Sequence, residues 1–422
     1  MKKISIFALI VTFLVFGACT KQEKPAGEAE VMTLPEIDIS GSPNGIVSLP
    51  GNAPSAISDI FVKYTKILAP NGKPIHFLAQ EAWTDVQIAH ARNVLRYLLE
   101  DFPGSEYGSD KSIIANNMAD RKATMVLFNT PKELEKAFKT PLREVDLSMQ
   151  DLRANECPAE GNEDYMNHIT RDAAYEEIWH LVHDNGVKLL LPDMVAEMRQ
   201  ANDVAAEKGW KAWPEDEPQE HPNEYVGVLI DNYLDLWAVR PKKYEGRDIG
   251  PEDVPDSTSH FGRYFANSRE KLKNQDPLGY SLFNKFFHPY LTYTPILPED
   301  FKGAFSLAFD ESLVYTYKSQ HLINVALAGS NNAELIGNAY GNKLIGNKGD
   351  NVLTGGAGND TLDGGEGKDT AVFAGAYSEY TITKKEGYYT ITDNNEDRDG
   401  ADVLKNIEEL KFSDRVFNLS HS

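Results

Sequence analysis

The sequence predicts an α+β domain followed by an all-β domain built as a parallel β-roll. Three observations predict it. Between residues 57 and 320, strand-like and helix-like apolar patterns alternate. From Gly337 to Val372 the chain repeats every nine residues, as GNAYGNKLI, GNKGDNVLT, GGAGNDTLD and GGEGKDTAV. After that repeat, apolar and polar residues alternate around turn signals up to Leu419.

The N-terminus comes first. Met1-Lys2-Lys3 precedes an apolar stretch, Ile4 to Phe16, too short to span a membrane and of the length of a signal h-region. It ends in Phe16-Gly17-Ala18-Cys19, which resembles the lipobox of bacterial lipoproteins. That resemblance implies that residues 1–19 form a lipoprotein signal and that Cys19 is lipidated. It also implies an anchor in the bacterial cell envelope, at the outer membrane or cell surface. Residues 20–56 are rich in Pro, Gly, Glu and Ser without periodicity and are expected to form a flexible tether. With Cys19 acylated, Cys157 has no disulfide partner. The net charge of -22 argues against nucleic acid and anionic lipid as partners, and suits a protein that meets calcium outside the cell.

In the domain at 57–320, a β segment is expected near Lys73–Leu78, a helix over Thr84–Glu100 and a strand over Ala123–Phe128. A helix from about Arg171 carries AAYEEIWHLVHDNGV, with Gly186 as its expected stop. Projected at about 100° per residue, Glu176, Glu177, His180, His183 and Asp184 share one face. Between Arg171 and Lys188 that face has no basic counter-charge, so its acids repel unless a cation sits there. The next helix, from about Pro222 to Trp237, aligns Glu224, Val228, Asp231 and Asp235.

The segment Glu176-Glu177-Ile178-Trp179-His180 fits the zinc-peptidase pattern HExxH at every position except the first, where Glu176 replaces His. Asn223-Glu224-Tyr225 is similar to the third-ligand segment of glutamate-zincins, most of all lethal-factor-like peptidases. Ser268–Phe287 is similar to the helix that follows in those enzymes. The resemblance implies a zincin-like domain with Glu176, His180 and Glu224 as metal ligands and Glu177 as general base. The change at Glu176 makes Mn2+ or Fe2+ competitive with Zn2+ on ligand hardness. His183, His168 or His221 are the nitrogen ligands that could substitute, and a purely structural helix is the competing reading. Phosphate loops, serine-nucleophile elbows and CxxC pairs do not occur.

The nonapeptides GGAGNDTLD and GGEGKDTAV resemble the RTX, or hemolysin-type, calcium-binding repeat. Six residues make a turn and three a short strand, so two repeats complete one coil. Each turn then faces the turn two repeats away. This pairs Gly355, Gly356, Gly358 and Asp360 with the turn ending at Asn342, and Gly364, Gly365, Gly367 and Asp369 with the turn ending at Asn351. Calcium favours such oxygen cages, and the neutral Asn residues limit the expectation to two Ca2+ ions at most. Ile407-Glu408-Glu409-Leu410-Lys411-Phe412 is similar to the segment that closes RTX rolls, so the roll with its cap is expected over 328–422. Two functions are consistent with this reading. One is a surface-anchored calcium-binding lipoprotein whose domain is a metal-dependent peptidase or hydrolase with a peptide substrate. The other is a non-catalytic surface binding or adhesion protein on an inactive zincin scaffold.

Overall fold

The computed structural model describes residues 32–212, 221–395 and 398–419. The signal, the lipobox and Cys19 lie outside the described residues. Among the described residues, no helix is long and apolar enough to cross a membrane.

The N-terminal domain is organised by one five-stranded sheet, in the order Val47–Ser48, Lys63–Leu68, Pro74–Ala79, Ala123–Phe128, Ser148–Arg153. The first three strands are antiparallel; the last two join in parallel. Ala123–Phe128 is buried along its whole length because both of its faces are covered. Its alternate side chains divide between two cores: Val126 and Phe128 meet Phe61, Leu78 and Phe138, while Met125 and Leu127 meet the helices behind the sheet. The crossover helix Asp85–Leu99 starts at a capping box made by Thr84 and Gln87.

The structure corrects four expectations. From Met32 on, the presumed tether is packed: Ile37 and Ala56 enter one core, Ile46 the other, and Val47–Ser48 forms the sheet edge. These scattered apolar residues give no periodicity, so the sequence hides their burial. The motif helix does not stop at Gly186. Ala174–Val182 runs through a π-helical turn, His183–Val187, into Lys188–Leu190. Gly186 serves packing there, since a Cβ would lie 2.4 Å from Ile114 Cγ2. The helix expected over Ser268–Phe287 is two helices, Arg269–Gln275 and Pro277–Asn284, broken where Pro277 removes an N–H. Finally, the roll begins well before residue 328.

That roll consists of two facing sheets. One contains, in order, Ile296–Leu297, Asn324–Leu327, Lys343–Ile345, Thr361–Asp363 and Ala401–Lys405. The other contains Gly303–Ser306, Ala333–Ile336, Val352–Thr354, Thr370–Val372 and Glu409–Lys411. All of these pair in parallel. The register stacks Val325, Leu344, Leu362 and Leu404 in one column, and Phe305, Leu335, Leu353, Ala371 and Leu410 in the other. All nine side chains are buried between the sheets. The strands at 296–306 carry no repeat, so only pairing reveals them as the first coil. A hairpin, Tyr380–Lys385 with Tyr388–Asp393, and the strand Val416–Asn418 complete the far end, where Phe412 stacks on Phe373. The near end is continuous with the core of the N-terminal domain, as in the contact of Phe305 with Tyr165.

Candidate metal centres

The motif helix is buried on every side, including its polar face. The helix His221–Tyr233 crosses it closely at Gly227, where a Cβ would lie 3.0 Å from Glu176 Cγ. Trp179 Nε1 donates to Asn223 O at 3.3 Å across the same crossing. The crossing brings Glu176, His180 and Glu224 together, with one ligand atom from each lying within 4.8 Å of the others. His180 Nδ1 lies 3.6 Å from Glu224 Oε1 and 3.2 Å from Asn223 Nδ2. His180 Nε2 is buried and has no hydrogen-bond partner. Beside it, Glu177 Oε2 accepts from Gln150 Nε2 at 2.9 Å. Burial, reinforced by Asp151, Glu176 and Glu156 against the pull of His180, pushes Glu177 up to about 8.

The acidic face is not without a counter-charge. Arg171 folds back from just ahead of the helix, so that its Nη1 donates to Glu176 Oε2 at 2.6 Å and its Nη2 to Glu156 Oε2 at 3.2 Å. Burial alone would raise the Glu176 carboxyl, but Arg171, His260 and His180 outweigh it and hold the group down to about 2. The expectation of unbalanced acids fails because Arg171 precedes the helix and its reach is not visible in a helical projection.

Glu176 also belongs to a second group, with Asp231 and His260. His260 Nε2 and Asp231 Oδ2 are 3.1 Å apart, Trp237 Nε1 donates to the same oxygen at 3.1 Å, and Asp231 Oδ1 is buried without a partner. His260 and Phe261 both hold left-handed backbone, at φ 49° and 57°. Sequence reading missed His260, since a loop histidine has no periodic signal; its positive φ is visible only in the fold.

His183 pairs with Asp184 at 2.9 Å, and His168 Nε2 donates to Val239 O at 2.7 Å. His168 is buried, and burial lowers it to about 3. Neither residue, nor His221, joins a ligand group among the described residues. His90 does, with Cys157 and Asp172, but its two nitrogens are each 3.0 Å from a carboxylate, Glu160 and Asp172. Burial opposes protonation there, yet the two acids win and raise His90 to about 10. A doubly donating imidazolium has no lone pair for a metal. A cleft lined by Arg96, Tyr97, Lys111 and Thr292 shares no residue with the Glu176 groups.

In the roll, Lys343 stands opposite Thr361 and Val352 opposite Thr370. This register sets the turn ending at Asp360 on the turn ending at Asn342, and the turn ending at Asp369 on that ending at Asn351. Asp360 Oδ1 accepts from Asn342 N, and Asp369 Oδ1 from Asn351 N, each at 2.7 Å. The other oxygens, Asp360 Oδ2 and Asp369 Oδ2, are buried with no partner. Glycine is required beside them: Gly356 and Gly365 have φ of 87° and 93°, and a Cβ would approach Asn338 O to 2.8 Å and Asn347 O to 2.2 Å. Gly358 and Gly367 hold φ of 118° and 115° in the same turns. Burial pushes Asp360 up to about 7 and Asp369 to about 6. Orphaned carboxylate oxygens beside close-set carbonyls fit a hard divalent cation. The column continues into the cap, where Asp402 Oδ1 accepts from Asp360 N at 2.9 Å and Glu408 Oε2 from Asp369 N at 2.8 Å. These two residues lie outside the repeats and were not expected.

The comparisons agree with the roll. The family model for the RTX calcium-binding nonapeptide repeat (4 copies) matches residues 336–371. The chain therefore carries RTX calcium-binding repeats. No curated protein matches the chain.

Proposed function

We propose that this is an RTX calcium-binding protein of the bacterial surface, held by lipid on Cys19, whose N-terminal domain is zincin-like and binds a divalent transition metal. Two observations carry the metal reading: His180 forms a group with Glu176 and Glu224, and the Nε2 of the same ring is buried without a partner. Glu176, His180 and Glu224 are the residues that would hold Zn2+, Mn2+ or Fe2+, which would supply Lewis acidity for hydrolysis of a peptide bond. Once its carboxyl, pushed up to about 8, has lost its proton, Glu177 would take the proton from an attacking water, and Gln150 orients it. Elemental analysis of the purified protein tests this. About one transition metal per chain, lost in His180→Ala, is expected. Calcium alone, unchanged by the substitution, rejects it. Hydrolase activity that disappears in Glu177→Gln while the metal remains would identify the domain as an enzyme.

One observation favours a second reading, a non-catalytic surface binding protein. The Arg171 guanidinium already neutralises Glu176, which leaves His180 and Glu224 as weak bidentate support for an ion. Under that reading Arg171→Ala raises metal occupancy, because it frees a carboxylate that the wild type keeps engaged.

A further inference from the structure

The gaps between successive turns of the roll are not equivalent. In two of them an asparagine amide stands in the cavity beside the carbonyls. Asn338 has the place in its turn that Gly356 has one coil later. Its Nδ2 donates to Gln320 O at 3.2 Å and to Leu322 O at 2.9 Å, both in the preceding coil. Asn342 Nδ2 adds Ile323 O at 3.2 Å. On the opposite edge, Asn347 corresponds to Gly365, and its Nδ2 donates to Ala328 O at 2.8 Å and Asn331 O at 3.1 Å. Neither amide can turn over without loss. Asn338 Oδ1 accepts from Tyr340 N at 3.1 Å, and Asn347 Oδ1 from Gly349 N at 2.8 Å.

The next two gaps lack such an amide, because Gly356 and Gly365 replace the asparagines. There the buried oxygens Asp360 Oδ2 and Asp369 Oδ2 remain without a donor. An amide N–H2 turned to two carbonyls gives them the partial positive charge that a cation would otherwise supply. It does so without bringing a full charge out of water.

We propose that Asn338 and Asn347 replace calcium in the first two gaps of the roll, which confines the ions to the two gaps that hold Asp360 and Asp369. This deepens the calcium reading of the roll and rests on it. It divides the roll into a base that folds without calcium and a distal part that requires it. The base is the end whose Phe305 packs on Tyr165 and Tyr315 in the continuous core of the molecule. The distal part comprises the strands Thr361–Asp363 and Thr370–Val372 and the cap.

Two measurements on the full chain test this. Calcium counted by equilibrium dialysis and elemental analysis is expected at two ions per chain, in keeping with oxygen sites that lack a protein donor. Three or four ions overturn the proposal alone, whereas none overturns both the proposal and the calcium reading. Hydrogen exchange in EDTA is expected to leave the amides of 324–327 and 333–336 protected while those of 401–405 and 409–411 exchange. Uniform loss of protection along the roll overturns the proposal. A substitution gives a third test. Asn338→Asp sets a carboxylate against Gln320 O and Leu322 O, so it should lower the melting temperature in EDTA, recover it in millimolar calcium and bind one more ion than the wild type. A melting temperature equal to the wild type in EDTA overturns the role of the amide. Should that variant fail to fold, the exchange measurement on the wild type still decides.

Discussion

Single side chains in this protein are governed by buried charge. Arg171 neutralises two carboxylates, Glu176 and Glu156, that have little water around them. Arg171→Met should therefore cost about 3–5 kcal/mol in urea unfolding, the scale for leaving a buried charge unpaired. His90 is the second case, an imidazolium locked between Glu160 and Asp172. Its folded value, about 10, lies above the ordinary 6.5, so its contribution is full below pH 6.5 and fades as pH rises to 10. Glu160 is lowered from 4.5, so its share is present above pH 4.5 and fades on acidification. The difference in melting temperature between wild type and His90→Gln should be greatest at pH 4.5 to 6.5 and shrink by pH 10. A difference that is flat across that range would mean the histidine contributes by shape alone.

At the scale of elements, close packing explains where the helices run and where the roll is strongest. Gly186 lets the π-helical turn lie against Ile114, so Gly186→Ala forces Ile114 to move and should destabilise by about 1–3 kcal/mol. Leu353 is fully buried in a column with Leu335 above it and Ala371 below. Leu353→Ala should cost about 2–5 kcal/mol, because strands on both sides prevent collapse of the cavity. Thermal unfolding followed by circular dichroism checks both. The strand Ala123–Phe128 and the helix after Thr84 were legible because an apolar run and apolar residues at helical spacing are local signals. The packed segment around Ile37 and the first roll strands were not, since their partners lie far along the chain.

For the whole molecule, the proposed calcium sites put calcium and protons in competition for the same oxygens. Asp360 and Asp369, pushed by burial up to about 7 and 6, must lose a proton when an ion enters. Apparent calcium affinity should then fall by about tenfold per pH unit for each proton displaced as pH drops below these values. Calorimetric titration at a series of pH values measures this, and an affinity independent of pH between 5 and 8, roughly the window of those carboxyls, would contradict it. On the proposed division of the roll, the distal strands and cap are stable only where calcium is abundant and the medium is not acidic.

The sequence by itself determined the nine-residue period from Gly337 to Val372 and the pairing of the turns that end at Asn342 and Asp360 and at Asn351 and Asp369. Those features repeat every nine residues, and a repeat propagates one local geometry without help from distant contacts. It also placed Glu176, His180 and Glu224 on two helices, because helical spacing is local. Only the tertiary structure decided that Arg171 engages Glu176, that His260 and Asp231 join the same group, and that Asn338 and Asn347 reach back to the carbonyls of an earlier coil. In each of these the partner is brought near by a helix crossing, a loop or a coil, and no spacing along the chain encodes it.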